Sequence, residues 1–456
     1  MKKLIETIRN IYKIEDLRNR ILYTLGIILI YRLGAYIVLP GVDPHQLANL
    51  QNQGSSGLLG LLNMFSGGAF SNASIFALGI MPYISASIVV QLLGMAIPYF
   101  QKLQKEGESG RRKISQITRY LTVIILIFQS PAYIANLVRQ LPPEGIYPFD
   151  PNLTTHTVFS FFGISSIMIL TAGSMFIMWL GERITEKGIG NGISLIIMIG
   201  IIARLPFALI GEFAARMEQK GGGGLVYFVI EIVVLIFVIL VTILLVQGTR
   251  RIPVQYAKRI VGNKQYGGVR QYIPLKVNAA GVMPIIFAQA IMFLPITLVG
   301  FTNSESMSGF AAAFSNINGF WYNFTFFIMI ILFTYFYTAI TVNPNQMADD
   351  MKKNGGFIPG VKPGRKTADF IDNVMSRITL PGSIFLGFVA IMPALVRLVG
   401  VSSQFARFYG GTSLLILVGV ILDTLQQIES HLLMRHYDGL TKSGRIKGRS
   451  SFSMTG

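Results

Sequence analysis

The residues best able to do chemistry in this chain are few, and their spacing argues against catalysis. Its four histidines, His45, His156, His431 and His436, never fall in an HxxxH or HExxH spacing, so no pair shares a helix face suited to a zinc ion with a general base beside it. There is no cysteine, which removes disulfides, thiolate metal sites, iron–sulfur clusters and a cysteine nucleophile. No G-x-x-x-x-G-K-[ST] phosphate loop and no G-x-G-D aspartate motif occurs, so any work done on ATP must be done by a partner. Serines within the apolar runs have no histidine or lysine there to activate them. The sequence thus predicts no catalytic residue, no metal site and no cofactor. Glu231 and Asp423, acids inside apolar runs, remain as candidates for ion coupling or for bonding a neighbouring helix.

The elements that must position any functional residue are membrane spans. The 456 residues are 52% apolar and only 13% charged, with mean hydropathy +0.55, far from a soluble balance. About 20 apolar residues cross a bilayer, and on that criterion ten spans are predicted, at 21–39, 74–97, 115–138, 157–180, 189–210, 224–247, 276–300, 320–342, 372–396 and 412–430. The N-terminus, alternate loops and the C-terminal tail together carry 32 of the 39 Lys and Arg residues. Six are counted with the opposite loops, Arg139, Arg204, Arg216, Lys220, Arg397 and Arg407, and Arg32 lies within the first span. The positive-inside rule then makes both termini cytoplasmic and accounts for most of the +18 net charge. Residues 1–20 space Leu4, Ile5, Ile8, Ile11 and Tyr12 helically among basic residues, predicting an amphipathic cytoplasmic helix and not a cleavable signal peptide.

An internal echo divides the chain. "GIMPYI" (79–84) and "GVMPII" (281–286) stand five spans apart, an odd offset that inverts orientation, as in a 5 + 5 inverted repeat. The expected fold is an all-α polytopic membrane protein with an N-terminal half (21–210), an external hinge loop (211–223), a C-terminal half (224–430) and a cytoplasmic tail (431–456). What the interior offers is isoleucine beside small residues, and an aliphatic constriction selects no ion but blocks water by dewetting. Between the first two spans, "MFSGGAFSNASI" (64–75) is too apolar for an ordinary loop and too broken for a stable helix.

Seven stretches carry a resemblance over nearly the whole length: "MFSGGAFSNASIFALGIMPYISASIVVQLL", "GESGRRKISQITRY", "GERITEKGIGNGIS", "RRIPVQYAKR", "KVNAAGVMP", "GGFIPGVKPG" and "GGTSLLI". In these the chain resembles the SecY family, the channel subunits of bacterial protein translocons. The resemblance implies an hourglass channel closed at its waist by Ile80, Ile84, Ile193, Ile197, Ile286 and Ile416. It implies a re-entrant plug over about 58–72, with Leu58, Leu61, Leu62, Met64, Phe65, Gly67, Gly68 and Phe70 as its residues. It also implies a lateral gate between the halves, where Gln91, Gln129 and Gln289 are candidate amides for an interhelical latch or a structural helix contact.

The cytoplasmic loops 248–275 and 343–371 interleave basic and aromatic residues, a mixture equally explained by topology and by contact with phosphate and bases. The resemblance makes them the dock of the ribosome, through ribosomal RNA, and of the motor ATPase SecA, using Arg250, Arg251, Tyr256, Lys258, Arg259, Lys362, Arg365 and Lys366. SecE, SecG, signal sequences, nascent polypeptides and membrane lipid are the other implied partners. One departure stands out: the family pattern P-G-[IV]-R-P-G reads "PGVKPG" here, and Lys362 keeps the charge but loses the bidentate fork of arginine. The competing expectation is a secondary transporter of small solutes, supported by the inverted repeat, Glu231 and Asp423 and opposed by sparse intramembrane charge.

Overall fold

The computed structural model describes residues 14–47, 63, 66–140, 160–218, 224–256, 259–261, 264–266, 270–289, 291–292 and 319–443. Its helices are α1 (Glu15–Gly34), α2 (Met81–Ala96), α3 (Pro98–Lys105), α4 (Glu108–Gln140), α5 (Phe161–Lys187), α6 (Gly192–Glu218), α7 (Gly224–Gln247), α8 (Phe320–Thr341), α9 (Pro344–Lys353), α10 (Arg365–Leu398), the single turn α11 (Ser403–Ala406) and α12 (Gly411–Ser443). Among the described residues seven helices are long and apolar enough to cross a bilayer: α4, α5, α6, α7, α8 running into α9, α10 and α12. α2 and α3 pass that test only together and are bent by 102° where Ile97, extended at φ −110°, precedes Pro98. Of the expected seventh span, 283–289 is helical, and its end beyond 292 lies outside the described residues.

Several expected boundaries move, and the first part of the expected hinge loop 211–223 is helical, as far as Glu218. Glu15 to Arg20, assigned to a separate surface helix, is continuous with the first span, because its charged turn propagates without a Gly or Pro break; residues 1–13 lie outside the described part. The second span, expected from residue 74, becomes helical only at Met81. Gly79 adopts φ +56°, which stops a helix, and Pro82, lacking an N–H, suits the first turn that follows. The echo repeats this arrangement: Gly281 takes φ +63° and helix begins at 283, with Pro284 again in the first turn. Ile84 N–H donates to Ile80 O at 3.1 Å and Ile286 N–H to Val282 O at 3.4 Å, so the two six-residue motifs fold alike at their starts.

The exposed side chains include long apolar faces suited to lipid. α7 exposes Val226, Val229, Val233, Phe237, Leu240 and Leu244, while its opposite side buries Leu235, Val238 and Thr242. An exposed apolar helix face of this length is tolerated in hydrocarbon and not in water.

The helical body carries one β appendage. β1 (Thr249–Tyr256) pairs antiparallel with β4 (Arg270–Lys276), in a register running from Thr249 opposite Lys276 to Gln255 opposite Arg270. β5 (Gly356–Phe357) adds to the other edge of β1, and β2 (Arg259–Val261) and β3 (Lys264–Tyr266) form a separate hairpin. Strand alternation buries Ile252 and Val254 beneath the sheet with Leu275, Met351, Ile358, Ile371 and Met375. The two long basic loops are thereby joined by one small core.

Candidate functional site

Helix periodicity brings isoleucines from both halves of the chain into one cluster. Ile80, Ile197 and Ile416 are buried in one cluster, and Ile84 and Ile193 pack against it from positions one helical turn away. The three contributing elements are the start of α2, the start of α6 and the start of α12, so the cluster spans both halves of the chain. Ile286 is half-exposed, next to Ile285, which belongs to the cluster of the C-terminal half. Val282, the echo position of Ile80, packs against both clusters.

The segment after the first span folds back onto this cluster. Ala69, fully buried, is a member of the same cluster as Ile80 and Ile197. Residues 66–80 are a succession of turns, not a helix, and Leu39 N–H to Ala73 O and Ile75 N–H to Ile37 O, both 2.9 Å, tie them to the chain leaving α1. Gly67 and Gly68 have φ +65° and +95°, which is what the reversal demands. A Cβ on Gly67 would lie 2.8 Å from Gly200 Cα on α6, so the turn is seated against that helix. Phe70 stacks edge-on against Tyr133 of α4 with centroids 4.9 Å apart. The expected plug residues Leu58, Leu61, Leu62, Met64 and Phe65 lie outside the described residues.

Four side chains on the surrounding spans bond this segment, and the sequence did not mark them as its partners. Arg32 Nη1 donates to Gly67 O at 3.1 Å and Tyr31 Oη to Ser66 O at 3.3 Å, both from α1. Tyr133 Oη donates to Phe70 O at 2.9 Å. Arg204 Nη2, on α6, donates to Asn63 Oδ1 at 3.0 Å and Ser71 Oγ at 2.9 Å. The available signals were Arg32 and Arg204, cations inside the expected spans 21–39 and 189–210.

The three candidate gate amides are not brought together among the described residues. Gln91 donates to Ser87 of its own helix at 3.4 Å, Gln129 is exposed, and Gln289 lines a cavity of about 100 Å³ with Tyr322, Asn323, Arg397 and Arg407. Burial, then the charges of Arg397 and Arg204, push the Arg407 guanidinium down to about 10.

The intramembrane acids also separate. Asp423 is exposed on α12, whereas Glu231 is buried and pairs with Arg216 Nη2. Arg216 Nε lies 3.0 Å from Glu212 Oε1, and Arg216 Nη2 also donates to Gly400 O at 3.0 Å. Ser402 N–H donates to Glu212 Oε2 at 2.9 Å and Tyr409 Oη to Glu231 O at 2.7 Å. Glu231 thus belongs to a clasp joining α6, α7 and the α10–α12 connection.

On the basic face, Arg250, Arg251, Lys362, Arg365 and Lys366 are exposed and Tyr256 is half-buried against Gly356 of β5. Arg259 lies in β2 and Lys258 outside the described residues. Lys362 sits in a tight turn between Gly360 and Gly364, both at positive φ, with its carbonyl accepting from Thr367 Oγ1 at 3.0 Å.

A bundle of apolar helices long enough to span a bilayer, with a folded-back segment packed into a buried aliphatic cluster, defines the class: a polytopic helical membrane protein. The solved structure of a protein conducting channel has this fold, at TM-score 0.60 and 17% identity over 94% of this chain and 95% of that one. Sec61 in the canine ribosome–channel complex from the endoplasmic reticulum gives 0.56 at 16% identity, with the same coverage of both chains. Protein translocase subunit SecY of Streptomyces scabiei is 44% identical over 450 residues, covering 94% of this chain and 98% of its own length. That of Mycobacterium bovis is 43% identical over 440 residues, covering 94% and 97%. Residues 74–425 match the model of the SecY family. The chain belongs to the SecY family.

Proposed function

We propose that this chain is the central subunit of a protein-conducting channel in a bacterial cytoplasmic membrane, passing secretory polypeptides across and releasing membrane-protein helices laterally. The observation that carries this reading is the shared burial of Ala69 with Ile80, Ile197 and Ile416, a stopper and a constriction in one cluster. A translocating chain presents every side-chain chemistry in turn. A polar binding site would hold some segments too tightly, whereas a yielding aliphatic collar fits around each while limiting ion leakage. Backbone at membrane depth is tolerated where it is buried in protein, as the turns of 66–80 are.

In this reading both termini are cytoplasmic, SecE and SecG complete the channel, and SecA or an elongating ribosome supplies the force. The sheet that joins 248–275 to 343–371 presents Arg250, Arg251, Lys362, Arg365 and Lys366 to those partners, and ribosomal RNA is met chiefly through phosphates. The test is reconstitution with SecE, SecG and SecA in vesicles. Protease-protected precursor that depends on ATP and on a functional signal sequence supports the reading. No protected precursor, together with accumulation of a small solute, would favour the transporter.

A further inference from the structure

Arg32 and Arg204 pose an energetic question. A guanidinium within a membrane-spanning helix is costly and is retained where it is paired or used. Among the described residues neither has a carboxylate partner: Arg32 bonds Gly67 O and Tyr36 Oη (3.2 Å) and lies over the Tyr36 ring, and Arg204 bonds Asn63 Oδ1 and Ser71 Oγ. Both charges are spent on neutral acceptors, and three of those acceptors belong to the segment that rests on the constriction. The segment is shaped to receive them. A Cβ on Gly67 would meet Arg32 Nη1 at 2.8 Å, and one on Gly68 would collide with the Arg204 guanidinium. Asn63 turns its side chain into the same knot, its Oδ1 also accepting from Ser71 N–H at 3.1 Å and its backbone carbonyl from Gly68 N–H at 2.8 Å.

We propose that Arg32 and Arg204 are a releasable latch for the plug: positioning residues, on two different spans, that hold Asn63, Gly67 and Ser71 over the constriction in the idle channel. The proposal rests on the plug reading above and adds which groups hold the plug shut. The choice of acceptor suits a contact that must break in every transport cycle. A charge-assisted bond to a carbonyl, amide or hydroxyl is stronger than a neutral one, yet its rupture leaves only one charged group to rehydrate. Separating a buried ion pair would leave two. The latch joins α1 to α6, so a rotation of α6 relative to α1 strains both arms at once.

The experiment is ion conductance of the idle, reconstituted full complex in planar bilayers. Arg32→Gln and Arg204→Gln each lose a charge-assisted contact, and the fraction of unplugged channels should rise about tenfold to a hundredfold. Arg204→Lys keeps a donor without the fork and should fall between. Ser71→Ala and Asn63→Ala remove the acceptors with both arginines intact, should raise leak in the same direction, and should be non-additive with Arg204→Gln. These acceptor variants also decide the matter if an arginine variant fails to assemble. Deletion of 58–72 separates the two levels. If the deletion leaks and the arginine and acceptor variants conduct like the parent, the latch is wrong and the plug stands. If the deletion leaves idle conductance unchanged, the plug reading fails and the latch with it.

Discussion

Replacing Arg216 by methionine removes the one cation of a buried three-charge clasp. Arg216 is 9% exposed, Glu212 1% and Glu231 11%, so bulk water screens none of them well. One guanidinium serves two acids; without Arg216 the two buried acids face each other with no cation between them, and Gly400 O loses a donor. Breaking a buried pair in this way typically costs about 3–5 kcal/mol, because the remaining charges stay desolvated. Replacing every member by neutral groups of similar size costs far less, so adding Glu212→Gln and Glu231→Gln to Arg216→Met should recover most of the loss. The assay is equilibrium unfolding of the purified complex in mixed micelles, with parent, single and triple variants compared. A single variant within about 0.5 kcal/mol of the parent, or a triple variant as unstable as the single, would refute the reasoning.

Other outcomes follow from the same geometry. Gly281→Val and Gly79→Val force a β-branched residue into left-handed backbone at φ +63° and +56°, and each should lose at least about 1–2 kcal/mol in that unfolding assay, with Gly281→Asn milder. Tyr133→Phe deletes the 2.9 Å bond to Phe70 O while keeping the ring contact, and should cost about 1 kcal/mol. Lys362→Glu should lower SecA-driven translocation into vesicles; a normal rate would remove this residue from the dock. Ribosome binding to the reconstituted complex should weaken linearly on a log–log plot against salt, and a flat dependence would exclude phosphate as the main contact.

Much of this was legible in the sequence because the signals are local. Twenty-residue apolar runs report spans, and the Gly-x-Met-Pro echo reports two helix starts that share a left-handed glycine at 79 and 281. The sheet was hidden for a physical reason. "TRRIPVQY" reads as a basic loop, and the alternation that buries Ile252 and Val254 becomes interpretable only once β4 and β5 flank it. The latch was hidden by distance: Arg204 meets Asn63 and Ser71 across 141 and 133 residues of chain. Charge counting grouped Arg204 with the outer loops although it falls within the expected span 189–210, and it lies well inside the helix α6, which runs on to Glu218. Arg216 was counted the same way, and its two carboxylate partners come from one helical turn earlier and from the next helix.

The absence of native cysteine allows the most direct test of the central claim. A single cysteine at Ile84, in the complex reconstituted with its motor, is offered a secretory precursor that carries one cysteine and is stalled in transit. The account predicts a disulfide between the two that requires a functional signal sequence. A precursor demonstrably stalled in transit that forms no crosslink at Ile84, nor at Ile197 or Ile286 placed the same way, would contradict it.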